Sequence, residues 1–285
     1  MKEFFHNLKM ALNSAEVKTG DIVYVASDIT VLMYEAAKLY GVKNKVERDK
    51  FLNEFIDTFQ NIVGKNGTLL FPIFTWKFCK GIPFDINNTL GEVGVLANWI
   101  LKNRKDFVRT RHPIYSFMVW GKDASYLQDL KNIDAWGDDS PFAYLHNYNA
   151  KMLLFNVALQ RGFTFMHYVE KKLKVPYRYN KKFVNKYIDE FGIESIKTYS
   201  MYVRDLDIVS YELLQDSFLE NYGIVKIANI NSQTIKIFNF NDAFEILKND
   251  FSNNNAKNCY KFEDYVIDWS KGATHNDEIS YGVSE

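Results

Sequence analysis

Gly20-Asp21-Ile22-Val23-Tyr24-Val25-Ala26-Ser27 is the stretch that sets the fold class. Its apolar, β-branched centre lies between a Gly-Asp turn signal and a small hydroxyl residue, the pattern of a short buried strand. Upstream, residues 2–16 alternate as an amphipathic helix. Downstream, a helical pattern through Val46–Ile62 closes at Gly64-Lys65-Asn66-Gly67, and Thr68-Leu69-Leu70-Phe71 repeats the strand signature. Strand, helix, strand predicts an α/β chain, with a mixed central sheet flanked by helices.

Further out, Tyr115–Trp120 and Met152–Val157 read as additional buried strands, and a helix is expected to begin near Thr164. Between Pro72 and Asn98 the chain is loop-like, with Gly81, Pro83, Gly91 and Gly94, until helical periodicity resumes at Val95–Lys102. A loop of that length inside a compact domain is usually functional. Residues 193–240 alternate as antiparallel strands, Asp242–Lys248 reads as a helix, and the last dozen polar, acidic residues are expected to fray. The expected division is a core over 1–175, with a sheet-completing portion over 176–285 in the same globular unit.

The 285 residues carry 47% apolar side chains, enough for a large core. Lys plus Arg and Asp plus Glu both number 35, so no global field favours nucleic acid or an anionic membrane. Neither is expected as a partner. Cys79 and Cys259 are far apart, no apolar run approaches the length of a membrane span, and the N-terminus lacks a leader pattern. A reducing cytoplasm fits best.

The chemistry centres on Phe163-Thr164-Phe165-Met166-His167-Tyr168-Val169-Glu170. On a helix, the i, i+3 spacing puts the imidazole and carboxylate on one face, where Glu170 can hold one ring nitrogen and leave the other free to take a proton. The competing reading is a core histidine bonded to a carbonyl, with Glu170 at the surface. Beyond it, Lys171, Lys172, Lys174, Arg178, Lys181, Lys182 and Lys186 form a run with no acid among them, either a solvated face or an edge that meets phosphate.

Several separated stretches fall in the order of one family. These are Gly20–Ser27; Gly67-Thr68-Leu69-Leu70-Phe71-Pro72; Phe84-Asp85; Arg109-Thr110-Arg111-His112-Pro113-Ile114-Tyr115-Ser116; Trp120-Gly121; Ser140-Pro141-Phe142; Lys151–Phe155; and His167-x-x-Glu170. The chain resembles the aminoglycoside 3-N-acetyltransferase, or antibiotic N-acetyltransferase, family. Ala26 and Asp28 replace the His and second Ser of that family's His-Ser-Ser, and Asp139 stands where its Gly-Ser-Pro-Trp has Gly. The likeness weakens after about residue 190.

The resemblance implies acyl-coenzyme A as co-substrate, no metal, and a homodimer. Transfer to an amine needs a base of pKa near 7 to remove the ammonium proton, a role that falls to His167 with Glu170 fixing its tautomer. Ser27 and Ser116 are candidates for oxyanion or pantetheine contacts, with turn capping as the alternative. Arg109, Thr110 and Arg111 form a cationic segment for phosphates, with Ser140 beside them. Asp85 either holds the acceptor ammonium or caps the Asn87-Asn88 turn, and Arg178 is expected on the substrate.

A neutral chain with a basic run beside the dyad suits an anionic acceptor better than a polycation. The preferred expectation is a nucleotide-linked amino sugar of cell-surface polysaccharide or lipopolysaccharide biosynthesis, receiving acetyl or 3-hydroxybutanoyl. An aminoglycoside is the alternative. A hydrolase with metal on His112, His167 and Glu170 and a non-catalytic coenzyme A- or sugar-binding protein are weaker readings, since neither His-Glu-x-x-His nor clustered cysteines occur.

Overall fold

The computed structural model describes residues 1–263, 267–273, 275 and 277–282. The first half runs α1 (Lys2–Ser14), β1 (Ile22–Ser27), α2 (Thr30–Tyr40), α3 (Lys45–Val63), β2 (Thr68–Phe74), β3 (Phe84–Asp85), α4 (Val95–Asn103), β4 (Val108–Arg109), β5 (Tyr115–Gly121) and α5 (Ala124–Asp129). Then come α6 (Pro141–Asn147), β6 (Lys151–Phe155), α7 (Leu159–Gly162), α8 (Met166–Leu173), β7 (Arg178–Ile188) and β8 (Glu194–Arg204). The chain closes with β9 (Ser210–Glu212), α9 (Ser217–Glu220), β10 (Lys226–Ile230), β11 (Gln233–Asn239), α10 (Phe240–Asn253), β12 (Tyr260–Phe262) and β13 (Glu278–Tyr281).

Seven strands form the central sheet in the order β10-β11-β6-β1-β2-β5-β4. β1 pairs in parallel with both β2 and β6, whereas β5, β4, β11 and β10 join antiparallel. The sheet is therefore mixed, and β1 lies at its centre. Period-2 alternation divides β1 between two cores: Val23 and Val25 pack with α1, α3 and α4, while Tyr24 and Ala26 face the aromatic core built by Phe74, Phe117 and Phe142. Burial on both faces explains why the strand is apolar throughout.

A capping box at Asn44 and Glu47 starts α3, and Gly41 in the left-handed region ends α2. α2 was not among the expected helices, although Ser27-Asp28 leads into it and Asp28 Oδ1 accepts the Thr30 amide at its start. A second sheet centres on the long β7, with β8 along one edge and β3 and β13 end to end along the other. β13 corrects the expectation of a frayed end: Glu278–Tyr281 pair in parallel with Lys181–Val184. Residues 283–285 of that expected tail lie outside the described residues. No described helix is long and apolar enough to cross a membrane.

Candidate active site

The parallel strands β1, β2 and β6 all end on one side of the sheet, and the chain leaves them toward a common crevice. From β1 the chain goes first to β2 on one side and later returns to β6 on the other, so the crevice lies at the topological switch point where open α/β sheets take ligands. It has two connected parts. A wide groove of about 1060 Å³ runs between the start of α2, α3 and α4, with Arg48, Trp99 and Arg161 on its walls. It opens past Ser27, Val93, Gly94, Val157 and Gln160 into a narrower pocket of about 220 Å³ that ends on His167.

His167 lies in the first turn of α8, and its Nδ1 is 2.7 Å from Oε2 of Glu170. The imidazole side chain keeps 27% of its surface open, whereas the Glu170 carboxylate is fully buried. The expected dyad therefore forms, and Glu170 is at the core rather than the surface. Trp136 meets the ring edge-on at 5.7 Å between centroids. Burial and the Arg178 charge push the His167 pKa below its ordinary value, against the pull of Glu170, so the ring is neutral and able to accept a proton.

Glu170 is held from three sides. Arg178 Nε stands 2.7 Å from Oε2, and the Tyr177 hydroxyl donates to Oε1 at 3.0 Å. Burial alone would raise the carboxyl pKa, but Arg178 and His167 outweigh it and bring it down to about 2. Arg178 is itself buried, with one terminal nitrogen donating to the Tyr202 carbonyl and the other to the Tyr260 hydroxyl, each at 3.3 Å. Expected on the substrate, it instead spends its terminal nitrogens on Tyr202 and Tyr260 and sets Nε against the dyad's carboxylate.

Other expected contacts fall elsewhere. Ser27 lines both parts of the crevice. Arg109, Thr110, Arg111, Ser116, Ser140 and Asp85 line neither. Arg109 is buried beneath the Phe84 ring, 4.7 Å from its centroid, and donates to the carbonyls of Ile86 and Thr89 and to Ser116 Oγ. Arg111 is clamped by Glu190, with N–O distances of 2.5 and 3.2 Å. Thr110 Oγ1 accepts the Phe117 amide, Ser116 Oγ donates to the Ile73 carbonyl, and Ser140 caps α6 by accepting from Ala143. Asp85 takes the amides of Asn87 and Asn88, so of its two expected roles it performs the turn cap. Apart from Arg109 Nη2, which has no hydrogen-bond partner among the described residues, these groups find their partners within the fold, the usual fate of buried polar atoms.

His112 is buried, with Nδ1 accepting the amides of Ile114 and Tyr115. The three candidate metal ligands His112, His167 and Glu170 do not converge. Among the described residues one group of three such atoms does, Asp205 and Asp207 from the β8–β9 connection with His275 from the segment before β13, and none of them lines the crevice.

The pocket also contains residues that the sequence did not single out. Trp76 follows the end of β2 and donates to the Tyr115 hydroxyl at 3.4 Å, and both line the pocket. Glu212 enters it from β9, its pKa raised by burial and by the neighbouring Glu170 charge. The position after a parallel strand's carboxyl end was a usable signal for Trp76. Nothing local marks Glu212, because the pairing of β9 with β12 that places it is non-local.

The model of the family described as aminoglycoside 3-N-acetyltransferase matches residues 40–252. The chain belongs to that family. It is accordingly a coenzyme A-dependent N-acetyltransferase. The fold agrees with solved structures: the YokD protein from Bacillus subtilis superposes with a TM-score of 0.67 at 19% identity over 87% of this chain and 99% of that one. Aminoglycoside acetyltransferase AAC(3)-Xa gives 0.65 at 18% over 86% and 90%, and AAC-IIIb in its binary complex with CoASH gives 0.67 at 16% over 88% and 96%. A comparison with curated proteins gives no match. Ser27, Val93, Gly94, Val157, Gln160 and Arg161 line both the groove and the pocket that contains His167.

Proposed function

We propose that the protein moves an acetyl group from coenzyme A to an amine of a multiply aminated sugar of the aminoglycoside class, by direct attack with His167 as general base. The observation that carries this reading is a paired imidazole and a separate carboxylate in one pocket. His167 is held by Glu170 at 2.7 Å, and Glu212 lines the same space. As the amine attacks the thioester carbonyl, its proton passes to Nε2 of His167, and Glu170 stabilises the resulting imidazolium through Nδ1. The tetrahedral intermediate then expels the coenzyme A thiolate. Glu212 supplies a negative charge for a second ammonium on the acceptor.

The nucleotide-linked acceptor expected from the sequence drew on the basic run beyond the dyad. There Lys171 pairs with Asp134, Lys172 with Asp138, Lys181 with Glu278, Lys182 with Asp277, Lys186 with Glu194, and Arg178 with Glu170. Of the run only Lys174 makes no ion pair among the described residues, which leaves little for a pyrophosphate.

A thiol-release assay with acetyl- and 3-hydroxybutanoyl-coenzyme A against panels of aminoglycosides and nucleotide-linked amino sugars tests the reading. Turnover is expected with aminoglycosides and acetyl-coenzyme A. It should be lost in His167→Ala, while Glu212→Gln should raise the acceptor KM about tenfold and leave that for acetyl-coenzyme A unchanged. Turnover with nucleotide-linked amino sugars alone would overturn the choice of acceptor, and full activity in His167→Ala would overturn the mechanism.

A further inference from the structure

A buried carboxylate 2.7 Å from an imidazole ordinarily makes the ring a stronger base by favouring imidazolium. Here the same oxygen, Oε2 of Glu170, also stands 2.7 Å from Arg178 Nε. The guanidinium cannot swing away, since its terminal nitrogens are spent on the Tyr202 carbonyl and the Tyr260 hydroxyl, and Tyr177 fixes the other carboxylate oxygen. Val175-Pro176-Tyr177-Arg178 follows directly from α8 into β7, so both partners of the carboxylate come from the segment that leaves the dyad's own helix.

We infer that Arg178 is a positioning residue for acetyl transfer: its buried guanidinium, in ion-pair contact with Glu170, cancels that carboxylate's charge, so that the ring rests neutral and acts as a base at neutral pH. This rests on His167 being the general base and goes beyond it by assigning what sets its basicity. A base that is already protonated cannot accept the amine proton. With Glu170 and Arg178 forming a net-neutral pair, His167 orients on the carboxylate without being driven to imidazolium before the acceptor arrives.

The other charged or titratable groups that bear on the ring are few. Glu170 lies on its own helix and Arg178 and Tyr177 come from the entry to β7. Tyr260 approaches from β12 and Glu212 from β9. Tyr115 of β5, Tyr24 of β1 and Arg161 of α7 line the same pocket. The tyrosines are all held neutral, their hydroxyl pKa values raised by burial. Glu212 favours imidazolium and Arg161 opposes it. Among these, Arg178 is the cation in contact with the dyad.

The test is the pH profile of kcat/KM for the folded enzyme and two variants. In Arg178→Met the uncompensated carboxylate should move the acidic limb up by about one pH unit or more, with kcat reduced at least about tenfold. Arg178→Lys, which keeps the charge and loses the fork, should leave the limb near its wild-type position while kcat falls. An unmoved limb in a folded Arg178→Met enzyme would reduce Arg178 to a structural contact, as would a lysine variant indistinguishable from it. Should the methionine variant not fold, NMR titration of His167 in the wild-type enzyme decides the matter. A pKa at or below about 6.5 fits a compensated carboxylate, and one well above it rejects the compensation.

Discussion

Lys182 Nζ stands 3.1 Å from Asp277 Oδ2, an ion pair between the centre of the second sheet and the segment leading into its terminal strand. Beside it Lys181 reaches Glu278 at the same distance. The basic run thus works as one half of a strand-to-strand seam. A Lys181→Gln/Lys182→Gln double variant should keep its acceptor KM within about twofold, since exposed pairs of this kind contribute little and no ligand depends on them. Steady-state kinetics with matched neutral and nucleotide-linked acceptors check this. A tenfold rise confined to the nucleotide-linked acceptor would restore the run as a phosphate-binding edge.

The groove upstream of Ser27 is lined by two arginines, Arg48 from the first turn of α3 and Arg161 from α7. Neither makes an ion pair among the described residues, in contrast to Arg104, Arg111 and Arg178. The phosphate contacts expected at Arg109–Arg111 are predicted for this pair instead. Arg48→Ala and Arg161→Ala should each raise the KM for acetyl-coenzyme A about tenfold and leave that for acetyl-pantetheine, which has no phosphates, unchanged. An equal loss with both donors would mean that the arginines shape the groove rather than hold the phosphates.

How far the sequence carries can be read from single residues. β1, α3 and the His167–Glu170 dyad were legible because each depends on local order: alternation into two cores, a capping box, an i, i+3 spacing on a helix. Arg109 and Ser116 were misread for a physical reason. A polar residue between two strands looks the same in sequence whether it faces a crevice or satisfies carbonyls inside the fold, and here Arg109 Nε donates to Ser116 Oγ at 3.0 Å in the interior. Glu212, Arg48 and the seam at Lys182 come together through pairings distant in sequence, which composition and periodicity do not encode. The acids that compensate the basic run, from Asp134 to Glu278, are scattered over the chain for the same reason.

His112 makes acid stability the last test. It is 1% exposed, and its Nδ1 accepts the amides of Ile114 at 3.3 Å and Tyr115 at 3.2 Å, so protonation would set an N–H against two N–H donors. Burial pushes its pKa down to about 4, only partly offset by backbone carbonyl contacts from the segments at Ser200 and Ile133. The folded-state value lies below the unfolded value of about 6.5, so the unfolded chain takes the proton first. The stabilisation is therefore complete above pH ~6.5 and is lost as the pH falls toward 4, on the order of 3 kcal/mol in all. His167, also lowered, adds a loss of the same sign, and Glu170 adds another below the ordinary carboxyl range. Urea unfolding at pH 7, 5.5 and 4.5 should show stability declining with acid, and His112→Asn, whose side-chain carbonyl can take the same two amides without titrating, should flatten the upper part of that decline. Parallel wild-type and variant curves would show that the buried imidazole is not what the acid attacks.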